Sequence, residues 1–383
     1  MEVSRCAPRE GGRIWSLTWL KCNLRFTYSM LAADSKVVSS PVPETPRAQP
    51  AQSWKQIITP VEPFLEAVSR ELVQQVKAFD PEIVPYAEYA LNGQGKHLRP
   101  ALVALTAQAL GRPSEAHVTV AVIIEMVHLA TLVHDDIMDE AEIRRGRLTL
   151  AAHWGNDLAV LFGDCLFARA LTLAAGFPTT DVCRAVSAAT NTVCSGEILQ
   201  TRHKGDFQFS REQYFKVLEM KTGELFALSC DLGAFLSGAS PEHRSALREF
   251  GLAFGTAYQV FDDCVDLFGS EAEAGKSLGS DLAKGKLTLP VLLVWERANS
   301  SDREHLDSLV KTREPGFMDA TAKLLVKYES LPGSLQVMRR YLARALQAID
   351  RLPHSPGRAG LLGLVDYLSH QSATLGAVPE DGL

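Results

Sequence analysis

Apolar side chains recur at helical spacing along most of the chain, from residue 63 onward. Phe64, Val68, Leu72 and Val76 repeat every four residues, so they fall on one face of an amphipathic helix. The sequence shows no sustained alternation of apolar and polar residues, which is the pattern of half-buried strands. The same helical spacing predicts further helices at residues 101–110, 118–133, 159–175, 181–200, 213–236, 241–267 and 287–297.

Glycine and proline mark the ends of these predicted helices, at residues 111–113, 176–178 and 238–241 and at Gly279. The chain has 383 residues, which suffices for one large domain or two ordinary ones. Because the pattern after residue 52 is helical almost throughout and no short-period repeat divides it, we predict an all-α, single-domain bundle over residues 53–383.

Residues 1–52 differ from the rest in composition. Arginines are spread among Trp15, Trp19 and Phe26, and a stretch rich in Pro, Ala, Ser and Gln follows. Three interpretations compete: an organelle-targeting peptide, against which Glu2 and Glu10 count, a flexible tail, or an upstream misassigned start. We favour the last two together, with Met30 as the true start, and so expect a disordered or misassigned extension.

Charge and cysteine content narrow the function. The net charge of −6 argues against general nucleic-acid binding. The seven cysteines are scattered without a CxxC pair, which suits a reducing compartment, and we expect a cytoplasmic protein, or an organellar one if residues 1–50 are a transit peptide. The most apolar run, residues 118–133, contains Glu125 and His128 and is shorter than the about 20 residues of a membrane span, so none is predicted.

Two aspartate clusters of the same form, DDIMD at residues 135–139 and DDCVD at residues 262–266, each end a long apolar run. Positions i and i+4 share a helix face, so the outer carboxylates of each cluster point the same way. Such carboxylates repel each other unless a cation joins them, and Mg²⁺ prefers oxygen ligands and shares its site with phosphates. A lone cluster would be a solvated acidic patch, but two predict a Mg²⁺ site of Asp135, Asp139, Asp262 and Asp266.

Basic side chains accompany both clusters and indicate an anionic substrate. Guanidinium groups suit phosphate oxygens, and the chain lacks the GxxxxGK[ST] loop of the P-loop enzymes. His128 lies seven residues before Asp135 on nearly the same helix face, although such a histidine is more often a satisfied core residue. The candidate cations are Lys96, Arg99, Arg144, Arg145 and Lys221, with Lys276 and Lys286 flanking a loop that contains Asp281.

Several segments together resemble one known family, the trans-isoprenyl diphosphate synthases, also called polyprenyl synthetases. They occur in the family's order over roughly residues 87–297, with mild departures at Gly223 and Leu267. The segments that carry the resemblance are GKHLRP, HLATLVHDDIMDEAEIRRG, WGNDLAVLFGD, GEILQ, KTG and YQVFDDCVDLFGS with GKSLGSDLAKGKLTLP.

The resemblance implies an all-helical fold around a deep central cavity, a homodimer, and head-to-tail trans condensation of an allylic diphosphate with isopentenyl diphosphate. By motif, Asp135, Asp139 and Asp262 would bind Mg²⁺ and act in catalysis with Arg144 and Lys221. The isopentenyl diphosphate would be held by Lys96, Arg99, His128 and Arg145, and the allylic diphosphate by Arg144, Lys221, Thr222, Gln259, Lys276 and Lys286.

Product length is expected to depend on the helix that ends at Asp135. In short-chain members of the resembled family, a bulky aromatic four or five residues before the first aspartate closes the cavity. Those positions are Thr131 and Ala130 here, and Val127 and Ile124 continue the stripe, so we predict a long-chain product of the quinone side-chain type. The alternative is that the small residues only admit a neighbouring helix.

Three other functions stay open from the sequence. A short-chain farnesyl or geranylgeranyl diphosphate synthase is the first. A terpene cyclase shares the first aspartate motif, but it needs no second diphosphate site and carries a different second metal motif. A non-catalytic subunit of a heteromeric synthase should have lost aspartates, and both clusters are intact.

Overall fold

The structure is a computed structural model that describes residues 53–91, 95–270 and 278–375. The predictions for residues 1–52 and for Lys276 lie outside these ranges. Within them the regular structure is helical except for one two-stranded hairpin, which confirms the all-α prediction.

The first half of the described chain runs from the short helix α1 to the long helix α8. Its elements are α1 Trp54–Ile58, a 3₁₀ turn Thr59–Val61, α2 Glu62–Val76, α3 Val84–Leu91, α4 Leu98–Leu110, α5 Glu115–Met138, β1 Ile143–Arg144, β2 Arg147–Leu148, α6 Leu150–Trp154, α7 Asn156–Ala175 and α8 Asp181–Arg202.

The second half contains a break that the sequence pattern did not predict. Residues 213–236 were expected to form one helix, but a π-helical turn at Glu219–Gly223 interrupts it. The elements are α9 Arg211–Leu218, that turn, α10 Glu224–Leu236, α11 Pro241–Phe268, α12 Ser280–Ala283, α13 Leu289–Arg297, α14 Ser300–Thr312, α15 Phe317–Lys327, α16 Ser330–Ile349 and α17 Pro356–Thr374.

Two long helices, α5 and α11, carry the aspartate clusters at their carboxyl ends. Helix α5 packs against α2, α4, α7 and α10, and α11 packs against α10 and α16. Ile123 and Met126 of α5 and Phe250 of α11 are fully buried. Each such side chain contributes about 1.5–3 kcal/mol of hydrophobic free energy, so the core fixes both helices and thereby the positions of their acidic ends.

Among the described residues, two helices, α5 and α7, are long and apolar enough to cross a membrane by length and composition alone. More than half of the apolar window of α5 is buried inside the protein, as in a core helix, but only a third of that of α7. The apolar run of residues 118–133 is shorter than the helix that contains it, α5 Glu115–Met138. The length of that run therefore does not exclude a membrane span. The absence of a membrane span stays a prediction.

Candidate active site

A cavity of about 1560 Å³ lies among α4, α5, α8, α10, α11 and α17. Its lining brings together side chains from all of the sequence segments that carry the family resemblance, although these segments lie far apart in the chain. The charged residues on this lining are Lys96, Arg99, Glu125, Asp135, Asp139, Glu142, Arg144, Arg145, Glu197, Lys221, Asp262, Asp281 and Lys284.

Asp135 and Asp139, at the end of α5, each face a lysine from another segment. Lys221 Nζ lies 3.5 Å from Asp135 Oδ2, and Lys286 Nζ donates to Asp139 Oδ2 at 2.6 Å. Burial raises the pKa of Asp135, against the charge of Lys221. Burial also pushes the pKa of Asp139 upward, but Lys286, Lys284 and Lys221 together outweigh it and lower that pKa below its ordinary value. The first cluster is therefore an acid pair partly balanced by fixed cations.

The second cluster presents only its first aspartate to the cavity. Asp262 lines the wall, whereas Asp266 is 1% exposed and is not among the described lining residues. Its carboxylate accepts hydrogen bonds from Ser280 Oγ at 3.1 Å and from the Asp281 backbone N–H at 3.2 Å. The structure thus places Asp266 against α12 and away from the described cavity lining, and its role as a metal ligand stays a prediction. Asp281, named from sequence only as part of a loop, lines the cavity instead.

The middle aspartate of each cluster holds a polar neighbour. Asp136 is buried, and its Oδ1 accepts a hydrogen bond from Arg144 Nε at 2.7 Å. Asp263 is also buried, and it accepts hydrogen bonds from Tyr214 and Gln259. Burial raises the pKa of Asp136 and raises that of Asp263 to about 8, with Asp281 adding to the second shift.

The β1–β2 hairpin positions the two arginines that follow the first cluster. Arg145 and Gly146 form its turn with φ of 51° and 73°, the left-handed pair that a type I′ turn requires. Tyr89 Oη donates to Leu148 O at 2.8 Å, and the Arg147 guanidinium lies 4.2 Å from the Tyr89 ring centre. The hairpin is thus fixed to α3, so that Arg144 reaches Asp136.

The predicted isopentenyl diphosphate residues gather at one end of the cavity. Lys96, Arg99, His128 and Arg145 all line it, and the Arg99 guanidinium lies 4.8 Å from the Phe226 ring centre. Arg99 Nε is buried without a hydrogen-bond partner among the described residues. A buried charged donor without a partner is costly, so this end favours an anionic ligand.

The pKa values of His128 and His97 shift in opposite directions at this basic end. Burial, and then the nearby Arg99 charge, lower the pKa of His128 to about 3, so its imidazole is neutral at neutral pH. His97 Nδ1 lies 3.5 Å from Glu125 Oε1, and contact with that carboxylate raises the pKa of His97 above its ordinary value. Sequence reasoning missed His97 and Glu125 as members of the site, although His97 lies within the GKHLRP segment.

The π-helical turn brings Lys221 and Thr222 to the cavity wall. Helix α8 packs closely on this turn because residue 196 is glycine: a Cβ there would lie 3.0 Å from the Lys221 backbone nitrogen. That approach places Glu197 in contact with Lys221 Nζ, which also donates to Gln200 Oε1 at 3.1 Å. Glu197 and Gln200 both lie in the GEILQ segment, and that segment is the sequence signal that could have identified them as the partners of Lys221.

The predicted chain-length stripe meets the cavity only at Thr131. Ala130, Val127 and Ile124 are at most 1% exposed and are not among the described lining residues. The structure places these three in the core, because that face of α5 is turned inward, and their role in product length stays a prediction. Apolar side chains elsewhere on the lining include Leu132, Phe167 and Val193, on α5, α7 and α8.

The acidic residues fit a hard divalent ion that is shared with a phosphate ligand. Among the described residues, no group of three His, Cys, Asp or Glu is gathered closely enough to hold a metal by itself. Asp135, Asp139 and Asp262 offer carboxylate oxygens from two walls of one cavity. Mg²⁺ keeps several waters and takes one or two carboxylates together with substrate phosphates, which matches this donor set.

Comparison with known proteins gives one consistent result. A family model described as polyprenyl synthetase matches residues 80–326. The chain is 31% identical to an octaprenyl diphosphate synthase from Escherichia coli over 78% of this chain and 93% of that protein. It is 38% identical to a nonaprenyl diphosphate synthase from Mycobacterium tuberculosis over 73% and 84% of the two chains.

A solved structure gives the same picture. It is that of a polyprenyl synthase from Caulobacter crescentus CB15 complexed with calcium and isoprenyl diphosphate. The match has a TM-score of 0.79 at 30% identity and covers 84% of this chain and 99% of that one.

Proposed function

The chain belongs to the polyprenyl synthetase family and is a trans-prenyltransferase, and from that premise we propose that it makes a long-chain polyprenyl diphosphate. It would do so by repeated head-to-tail condensation of an allylic diphosphate with isopentenyl diphosphate. The observation that carries this proposal is the convergence of two anion-binding regions in one cavity, one acidic and suited to metal, the other basic.

The allylic diphosphate would lie between the two aspartate walls. Lys221 and Lys286, already paired with Asp135 and Asp139, supply fixed positive charge there. Arg144, held by Asp136, adds a guanidinium that suits phosphate oxygens. Mg²⁺ bound by Asp135, Asp139 and Asp262 would neutralise the negative charge that develops on the diphosphate as its bond to carbon breaks.

The isopentenyl diphosphate would bind at the basic end. Arg99 and Lys96 supply charge, and neutral His128 supplies a hydrogen bond. Phe226, Phe254 and Tyr258 give the cavity aromatic walls, which exclude water from an allylic carbon that carries positive charge. The double bond of isopentenyl diphosphate then attacks that carbon, and we propose that the departing diphosphate accepts the proton that is lost.

The length of the product is the finer part of this proposal. Two findings support a long chain: the similar octaprenyl and nonaprenyl diphosphate synthases, and the small side chain of Thr131 on the cavity wall next to Leu132. A short-chain synthase is the alternative, and a terpene cyclase is disfavoured because it would not need the basic end.

Product analysis tests the proposal directly. The purified chain, without any partner, is incubated with Mg²⁺, farnesyl diphosphate and labelled isopentenyl diphosphate, and the products are separated by chain length. We expect label in products longer than geranylgeranyl, and none when isopentenyl diphosphate is omitted. Products that stop at farnesyl or geranylgeranyl contradict the chain length. Turnover without isopentenyl diphosphate favours a cyclase, and no turnover without a partner favours the subunit interpretation.

We also propose that the protein is a homodimer that forms through α7 and α8. Helix α7 is nearly as apolar as the core helix α5, yet only a third of its apolar window is buried. Leu161 on α7 and Ile198 on α8 are 65% and 68% exposed. A second copy of the chain would cover this apolar face.

A further inference from the structure

A series of hydrogen bonds leads from the protein interior to the cavity wall at the π-helical turn. Tyr214 Oη donates to Asp263 Oδ2 at 2.5 Å, and Gln259 Nε2 donates to Asp263 Oδ1 at 2.8 Å. Thr222 Oγ1 donates to Gln259 Oε1 at 2.9 Å. Thr222 and Gln259 line the cavity, whereas Tyr214 and Asp263 are buried behind them. Tyr214 and Asp263 can therefore affect a ligand in the cavity only through Gln259 and Thr222.

The buried pair fixes the orientation of the Gln259 amide. An amide offers N–H donors on one side and an oxygen acceptor on the other. Since the two ends have nearly the same shape, hydrogen bonding alone decides which way the amide points. With the amide reversed, its oxygen would face Asp263 Oδ1, and two acceptors would meet. Oδ1 can accept from Gln259 as a carboxylate oxygen or as the carbonyl oxygen of the neutral acid, so this argument does not depend on the charge of Asp263.

A fixed amide in turn fixes the hydroxyl of Thr222. A hydroxyl has one proton and two lone pairs, and the Thr222 proton is taken by Gln259 Oε1. Only lone pairs then remain for a group in the cavity. Oxygen lone pairs stabilise a carbon that gains positive charge, and a dipole held in place before the reaction needs no reorganisation during it. A freely rotating hydroxyl would instead turn its proton towards a diphosphate oxygen.

We propose that Tyr214 and Asp263 are positioning residues for the condensation, an inference that rests on the proposed function. They hold Gln259 so that Thr222 directs its lone pairs, and not its proton, at the allylic carbon. Asp263, the middle aspartate of the second cluster, would then orient the Thr222 hydroxyl through Gln259.

A double-mutant cycle between the two ends of the series tests this inference. Tyr214→Phe removes one hydroxyl, and we expect kcat to fall ~10-fold, the effect of one hydrogen bond, while both KM values stay near wild type. In a Thr222→Val background, Tyr214→Phe should cause no further loss. Independent losses that multiply would overturn the inference. Tyr328→Phe is the matched control, because Tyr328 likewise donates to a carboxylate, that of Asp302 on α14, outside the cavity lining.

A second pair of variants decides the matter if Tyr214→Phe does not fold. Asp263→Asn keeps an oxygen that can accept from Gln259, whereas Asp263→Leu does not, so the first should retain at least ~10-fold more turnover. Equal losses would overturn the positioning role. A wild-type chain that forms no condensation product overturns the proposed function and this inference together. An active wild type with multiplying losses overturns this inference alone.

Discussion

Identical residues in the two aspartate clusters do different work. The outer pair of the first cluster, Asp135 and Asp139, faces the cavity, but in the second cluster only Asp262 does. Asp266 holds the start of α12 through Ser280 and the backbone of Asp281. A residue's role here is therefore set by what packs against its helix face as well as by its place in the motif.

Substitution of the cavity-facing aspartates separates catalysis from stability. Asp135→Ala and Asp262→Ala should each lower turnover by at least ~10²-fold, through lost stabilisation of the leaving charge, with little change in thermal midpoint. Asp266→Ala should lower the midpoint, because two hydrogen-bond donors lose their partner at about 1–3 kcal/mol for each one left buried. Calorimetry and steady-state kinetics on the three proteins check this. Near-normal activity of Asp135→Ala or Asp262→Ala contradicts the metal assignment.

The His97–Glu125 pair predicts a pH dependence. The contact between His97 and Glu125 raises the folded-state pKa of His97. The pair therefore stabilises the fold at pH values below the ordinary histidine pKa. That stabilisation is lost as pH rises through the raised folded-state value. The difference in free energy of unfolding between wild type and His97→Gln should therefore shrink as pH increases.

Urea unfolding at a series of pH values measures this difference. In a Glu125→Gln background, His97→Gln should show a much weaker pH dependence, because the carboxylate that shifts the pKa is gone. A dependence that persists unchanged in that background would mean that another group is titrating.

Most of the charged site could be predicted from the sequence, because acids and cations cannot be buried without partners and their spacing shows which of them share a face. The exceptions have physical reasons. The place of Glu197 depends on its contact with Lys221 of the π-helical turn. The place of Asp281 depends on how α12 packs on α11, where the Asp281 backbone N–H donates to Asp266. The orientation of Asp266 depends on the packing of α12 against α11, which the spacing of residues in the sequence does not predict.

At the scale of elements, helical spacing predicted the helices but not how deeply each face is buried. Ala130 and Thr131 are neighbours on α5, and both were predicted to line the cavity. The structure places Ala130 in the core with 0% exposure and Thr131 on the cavity wall. The burial of Ala130 is what the competing explanation expects, namely a small residue that admits a neighbouring helix.

Aromatic substitutions at these two positions should therefore behave differently. Thr131→Phe should shorten the product, because the new ring occupies cavity space next to Leu132. Ala130→Phe should overpack the core and cost about 1–3 kcal/mol of stability. Chromatography of the products and thermal unfolding check both, with Thr131→Ser as the control of unchanged length. A shorter product from Ala130→Phe without loss of stability would restore the original stripe.

At the scale of the whole molecule, the apolar face of α7 and α8 leads to a prediction about assembly. Leu161→Asp together with Ile198→Asp should convert a dimer to a monomer, because charges do not tolerate burial in an apolar interface. Sedimentation velocity measures the change. Val326→Asp is the control, since Val326 is 74% exposed on α15 and its substitution should leave assembly unchanged. A wild-type protein that sediments as a monomer contradicts the proposal.

The π-helical turn at Glu219–Gly223 amounts to a one-residue insertion in a helix that would otherwise run unbroken from α9 to α10. Deleting one of its residues would restore regular α-helical hydrogen bonding and change which way the side chains of the turn itself point, while α9 and α10 keep nearly their present orientation. The shortened protein could then be the more stable one and yet be inactive, with Lys221 turned from Asp135. A homologous sequence that lacks this single residue should accordingly be suspected of having lost the reaction, even where every aspartate is intact.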